Sequence, residues 1–286
     1  MGKKDLNRSA ILDSQTKSKK QLLRKIDFVK KLIQEYSNSY NDNILLRDYS
    51  ELKDNRHIEK PEKIYPEMMF TTYFTSKPNP QNTTETALNN DIKYILPWYK
   101  SINKQKIHGI VFHDGLTEEF INEHTTEYVQ FIKCKLGNYT LNDERFIIYY
   151  MFILEHINKI KAVFMTDASD VIIQSSPFSF IKNYHENVLF VGRNNGNLRR
   201  QRKLNQNKTL LFEKEMKKNI EQNFYNLPVY NAGILGGKTP VALYFLRQLT
   251  HLFLRCDSHR NLNMPAFNYI IYLYWYPKIN SPVRRL

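Results

Sequence analysis

The chain has 286 residues, 42% of them hydrophobic, which is enough apolar content for one large α/β domain plus an appendage and excludes a disordered chain. Lys and Arg number 42 against 28 Asp and Glu, and the net charge of +14 suits anionic partners such as nucleotides, phosphorylated acceptors, acidic membrane surfaces or nucleic acid. The only cysteines, Cys134 and Cys256, exclude a disulfide framework and a thiolate metal site. With no apolar run of membrane-spanning length and no signal-like core after the basic start, they predict a cytoplasmic protein.

The charge is unevenly spread: residues 1–31 hold ten basic side chains against Asp5, Asp13 and Asp27, half of the whole excess. Leu22, Ile26, Val29, Ile33 and Tyr36 recur at alternating four- and three-residue spacing, which predicts an amphipathic basic helix over 19–36. Such a helix can dock on its own protein, pair with another helix or make peripheral contact with an acidic membrane. Residues 38–66 are polar and charged and read as a connector, so residues 1–64 are expected to form an extension and 65–286 the main α/β domain.

Residues 68–75, MMFTTYFT, predict the first strand, closed by Ser76, Lys77, Pro78, Asn79 and Pro80. A helical stripe of Ile92, Ile95, Trp98 and Tyr99 follows, then a strand over 107–112 ending in His113, Asp114 and Gly115. His113 reads as structural and Asp114 as a turn former, since a metal phosphohydrolase would need further His and Asp ligands at matching places. After a short helix from Thr117 and a strand over 128–133, residues 142–157 predict a strong helix with Asn142 as cap. Asp143 and Glu144 complement its positive end, and Arg145 stands in its first turn.

In residues 161–175, KAVFMTDASDVIIQS, a short apolar run over 162–165 ends in a turn that bears two carboxylates three residues apart, Asp167 and Asp170, before the chain returns to Val171, Ile172 and Ile173. The run reads as a buried strand, and the carboxyl edge of an open α/β sheet is where ligands bind. Two carboxylates on one tight turn repel each other and are most easily stabilised by a divalent cation with oxygen ligands, Mn2+ or Mg2+. The plainer reading is that Asp167 caps the turn and Asp170 is solvated.

Beyond the acids, 177–183 predict a helix and 188–192 a strand. Residues 194–208 predict a polar loop carrying Arg199, Arg200, Arg202 and Lys203, which is either simply solvated or the place for an acceptor or a closing lid. Residues 229–238, VYNAGILGGK, read as a strand in which Gly233, Gly236 and Gly237 allow close approach of backbone to a ligand and Asn231 offers both a donor and an acceptor. Two helices follow, over 239–256 and 263–275.

Taken together, these stretches resemble the GT-A fold of nucleotide-sugar glycosyltransferases, with a D-x-x-D spacing similar to that in the glycosyltransferase domains of lysyl hydroxylases. The resemblance covers about 65–286. It implies a mixed α/β sheet flanked by helices and a metal-dependent transfer of a sugar from a nucleotide diphosphate donor, UDP by family frequency, to a glycan, protein or lipid-linked hydroxyl. It implies Mn2+ or Mg2+ at Asp167 and Asp170. It further implies donor contacts from Thr72, Tyr73 and Thr75 at the end of the first strand, from Arg145 (the alternative being a surface ion pair with an acid), and from Asn231, Gly233 and Gly236. The family commonly has an Asp at the position of Asn263 and a His after the final helix. Here Asn cannot serve as a base at neutral pH, Asp257 is the nearest substitute, and water or, less directly, His251 or His259 would complete the metal shell.

Three rivals carry different expectations. A nucleotidyltransferase would show a Gly- and basic-rich loop after the first strand, whereas residues 75–81 have one Lys and no Gly. A nucleic-acid-binding protein would account for the charge, but no recognised module appears and no nucleic-acid partner is expected. A degenerate transferase that binds without catalysing would account for Asn263.

Overall fold

The computed structural model describes residues 52–53, 55–78, 90–184, 188–198, 218, 220–224, 226–256 and 261–275. The basic helix expected over 19–36, the basic run at 199–203, Asp257 and His259 lie outside them.

Seven strands among the described residues, β1 (His57–Ile58), β2 (Glu67–Tyr73), β3 (Gly109–His113), β4 (Val129–Lys135), β5 (Ala162–Thr166), β6 (Leu189–Asn197) and β7 (Pro228–Lys238), form one sheet in the order β1-β4-β3-β2-β5-β7-β6. The four inner strands β4, β3, β2 and β5 run parallel, and β1, β7 and β6 each pair antiparallel with their neighbours. Helices α1 (Leu96–Gln105), α2 (Glu118–His124), α3 (Leu141–Glu155), α4 (Pro177–Ile181), α5 (Thr239–Cys256) and α6 (Asn263–Ile270) connect and flank them. This is the mixed α/β sheet flanked by helices that the sequence predicts.

β3 and β5 are buried at every position, as continuous apolar runs of parallel strands covered on both faces must be. Alternation along β2 sends Met69 and Tyr73 towards Trp98 and Ile102 of α1. Phe70 points to the other face and packs with Phe112, Tyr149 and Phe152, the ring centroids 5.0 to 5.9 Å apart. α6 is fixed to β7 by Asn268, whose side chain accepts from Tyr230 N–H at 2.8 Å and donates to Tyr230 O at 2.9 Å.

Several expectations are corrected here. Part of the connector read over 38–66 belongs to the fold: Leu52 is fully buried, β1 pairs with β4, and Arg56 makes a bidentate ion pair with Glu144 at 2.7 and 2.8 Å. Glu144 is therefore a buried ion-pair partner, also accepting from Tyr139 N–H at 2.9 Å, rather than an acid tending the helix end. Secondly, residues 194–197 lie in β6 rather than in a loop. The helix cap is Thr140 rather than Asn142, and its hydroxyl donates to Asp143 Oδ2 at 2.8 Å. Among the described residues no helix is long and apolar enough to cross a membrane.

Candidate functional site

The carboxyl end of β5 is held from three sides. Thr166 O accepts from the Thr71 hydroxyl and Thr166 Oγ1 accepts from Trp98 Nε1, each at 3.0 Å, so β2 and α1 fix the residue before the acid. Asp167 N–H then donates to Gly233 O at 2.9 Å, one step beyond the Thr166–Ile234 pair of the β5–β7 ladder.

Arg145, in the first turn of α3, reaches across to the same point. Its Nη1 donates to Asp167 Oδ1, its Nη2 donates to Ala232 O at 3.2 Å, and its guanidinium lies 4.8 Å from the Phe146 ring centre. Burial is the strongest single influence and lowers the guanidinium's pKa, but Asp167, by its charge and its hydrogen bond, together with Tyr149 and Asp143 leaves it raised. Arg145 makes an ion pair, though a buried one and not the surface pair offered as the alternative to a donor contact. Its side chain is buried and its partner is the first acid of the D-x-x-D turn.

The second oxygen of Asp167 faces β7. A Cβ on residue 233 would stand 2.1 Å from Asp167 Oδ2, so the carboxylate occupies space that only glycine leaves open. Asn231 Oδ1 accepts Gly233 N–H at 2.8 Å and fixes that backbone. Gly236 serves the core instead: its missing Cβ makes room for the Phe164 ring, whose nearest atom would lie at 2.3 Å, so it is removed from the donor contacts.

Asp170 is exposed on the turn. Asp167 Oδ2 and the Asp170 carboxylate are hard oxygen donors suited to Mg2+ or Mn2+, and the cradle left by Gly233 fits an oxygen directed at a cation. They fit as a partial shell, because among the described residues no cluster of three or more His, Cys, Asp or Glu gathers. His251 is half-buried on α5.

The residues expected under the nucleoside divide. Thr72 is half-buried at the end of β2. Tyr73 is fully buried, donates its hydroxyl hydrogen to Asp91 O at 3.0 Å and accepts Asp91 N–H at 3.1 Å, so its ring is core and not an open face for a base. Thr75 is tied to Asp114, whose Oδ1 accepts Thr75 N–H at 2.7 Å while Oδ2 accepts Ser76 N–H at 3.1 Å. Asp114 thus clamps the loop after β2 to the end of β3. A cavity of about 310 Å³ opens at this edge, lined among others by Ser76, Lys77, Asp114 and Lys133.

Asn263 is also buried, and its Oδ1 accepts Met264 N–H at 2.6 Å, so it begins α6 and is not placed to meet an acceptor. Its neighbour Leu262 donates its N–H to Asp143 Oδ2 at 3.2 Å, while Asp143 Oδ1 has no hydrogen-bond partner among the described residues. Burial pushes the Asp143 carboxyl up to about 7. Sequence reasoning missed this role, since an acid in a first turn reads as exposed. It also missed Tyr94, a part-exposed ring packed 4.8 Å from Tyr73 whose phenol is raised by burial and then by the nearby Asp167 carboxylate. A helical stripe gives no hint of Tyr94, because its place depends on where α1 begins.

Fold and site together define a mixed-sheet α/β protein with a guanidinium-held carboxylate at the carboxyl edge of its parallel strands. No protein-family model and no curated protein matches the chain. Among solved structures it is similar to the galactosyltransferase LgtC in complex with donor and acceptor sugar analogs, at 13% identity and a TM-score of 0.42 over 71% of this chain and 70% of that one. It is similar to an active-site mutant of LgtC at 11% identity and a TM-score of 0.41, over 76% and 79%. The bifunctional glycosyltransferase WbbM matches at 9% identity and a TM-score of 0.44, over 76% of this chain and 39% of that one. Likenesses this distant carry no inference about activity, donor or acceptor.

Proposed function

We propose that the chain is a glycosyltransferase that moves a sugar from a nucleotide diphosphate donor, with UDP as the nucleotide, to an acceptor hydroxyl of a glycan, protein or lipid-linked chain. The observation that carries the reading is Asp167, fixed at the carboxyl edge of the parallel strands with one oxygen on Arg145 and the other over Gly233. A carboxylate held this firmly is preorganised for a charged ligand, whereas a turn cap would need neither the buried guanidinium nor the glycine.

Asp167 and Asp170 would hold Mn2+ or Mg2+, and a bound ion would supply Lewis-acid stabilisation of the departing diphosphate. The chain's own residues do the rest. Arg145 and the Gly233 carbonyl orient Asp167, and the Asn231 amide, with its oxygen on Gly233 N–H, directs its NH2 to a sugar hydroxyl. Thr72 and the cavity beside Asp114 offer the nucleoside a place, the cavity being at the small end of the usual range for ligand sites.

The test is calorimetry with UDP. Binding is expected to require Mn2+ or Mg2+, to vanish with chelator and to be lost in Asp170→Ala. Undiminished UDP binding under both changes overturns the reading. The burial of Asn263 favours a second reading, a donor-binding protein that no longer transfers, since neither a base nor an acceptor contact is available from it. Donor hydrolysis by a chain that binds UDP separates the two.

A further inference from the structure

We infer that Arg145 is a positioning residue whose charge masks Asp167, so that the acid pair holds a divalent ion poorly until a phosphate-bearing donor arrives. This rests on the transferase reading above, but it concerns the chain alone. Arg145 bridges two elements that come together only in the folded protein, Asp167 after β5 and the Ala232 carbonyl on β7. Its side chain is buried, the Phe146 ring lies against the guanidinium, and Nε makes no hydrogen bond among the described residues. Held between these two partners, the guanidinium serves the acid and the β7 backbone first.

The consequences follow from charge and geometry. Arg145 engages Oδ1 and leaves Oδ2 lying over Gly233, so the guanidinium selects the rotamer. It also places one positive charge beside the carboxylate that a divalent ion would need. Asp170 is exposed and screened, and no third acidic or imidazole ligand joins the pair among the described residues. A cation entering alone meets one neutralised carboxylate and one solvated one. A diphosphate adds negative charge at the same point and changes the balance.

The arrangement therefore makes an unusual prediction: removing the arginine should improve binding of the bare metal. Mn2+ alone is titrated against the full chain by electron paramagnetic resonance, for wild type and for Arg145→Met, Arg145→Gln and Arg145→Lys. Near-ultraviolet circular dichroism establishes that each variant is folded. The Met and Gln variants are expected to bind Mn2+ at least about fivefold more tightly than wild type, the effect of lifting one unit charge a few ångströms from a divalent ion in a largely aqueous cleft. The Lys variant keeps the charge and is expected to stay within about twofold of wild type. Adding Asp167→Asn to Arg145→Met should abolish the gain, which identifies Asp167 as the unmasked ligand. The Gln variant keeps a donor for the Ala232 carbonyl and serves if Met does not fold.

Equal or weaker Mn2+ binding in a folded Met or Gln variant overturns the proposal. So does a gain that survives the loss of Asp167. UDP binding by the wild type does not enter these comparisons, so a chain that fails to bind UDP but shows the gain would refute the transferase reading and leave the masking intact.

Discussion

Asp143 gives the chain a pH dependence of its own. It is fully buried, and burial raises its carboxyl to about 7 against the opposing pull of Leu262 N–H, the Thr140 hydroxyl and the Arg145 charge. An unfolded Asp titrates near 3.9, so between about pH 4 and pH 7 the folded state binds more protons than the unfolded one. Stability must then fall as pH rises through that window, by about 1.4 kcal/mol per unit and about 4 kcal/mol in all from this group. Asp143→Asn keeps an oxygen for Leu262 N–H and the Thr140 hydroxyl and removes the titration. Urea unfolding of variant and wild type should show the variant's advantage growing by roughly 2–4 kcal/mol between about pH 4.5 and about pH 8. In a melt this corresponds to about 2–4 °C per kcal/mol for a domain of this size. Taking the difference cancels the other carboxylates, whose protonation acts in the opposite direction. A difference constant to within about 1 kcal/mol across the range would refute the raised carboxyl.

Gly233→Ala is expected to leave a folded chain, because the collision falls on the end of the Asp167 side chain. UDP binding should nevertheless weaken about tenfold or more in calorimetry, since Oδ2 must leave its place. Arg56→Met strands Glu144 in a fully buried position and should cost about 3–5 kcal/mol in chemical denaturation, whereas the double change with Glu144→Gln should recover most of that loss.

The central strands and long helices were legible because their signals are local. β5, β7 and α5 fall within a residue of their expected bounds, and the uninterrupted apolar runs of β3 and β5 are what burial on both faces requires. The acids' position at a strand's carboxyl end could be read for the same reason. What could not be read depends on register and on contacts between distant segments. Nothing near Arg145 says that its partner is Asp167 rather than a surface acid, nor does the sequence around Arg56 announce Glu144, 88 residues later. Tyr73 looked available because MMFTTYFT does not say which alternate positions face α1. Gly236 and Gly233 read alike in sequence, and only pairing with β5 shows that one answers to Phe164 and the other to Asp167.

The antiparallel seam between β5 and β7 also shapes how the chain must be made. β2 precedes β5 in the chain and is available to pair with it, but the other side of β5 waits for β7, which begins about 60 residues later. At a synthesis rate of roughly 5–20 residues per second, the apolar segment AVFMT spends about 3–12 seconds as an open strand edge. An exposed hydrophobic edge is a template for pairing with another chain. Slowed elongation between β5 and β7, or a truncation in that interval, should therefore send the nascent protein into aggregates seeded at β5, which makes expression yield sensitive to codon choice in the intervening segment.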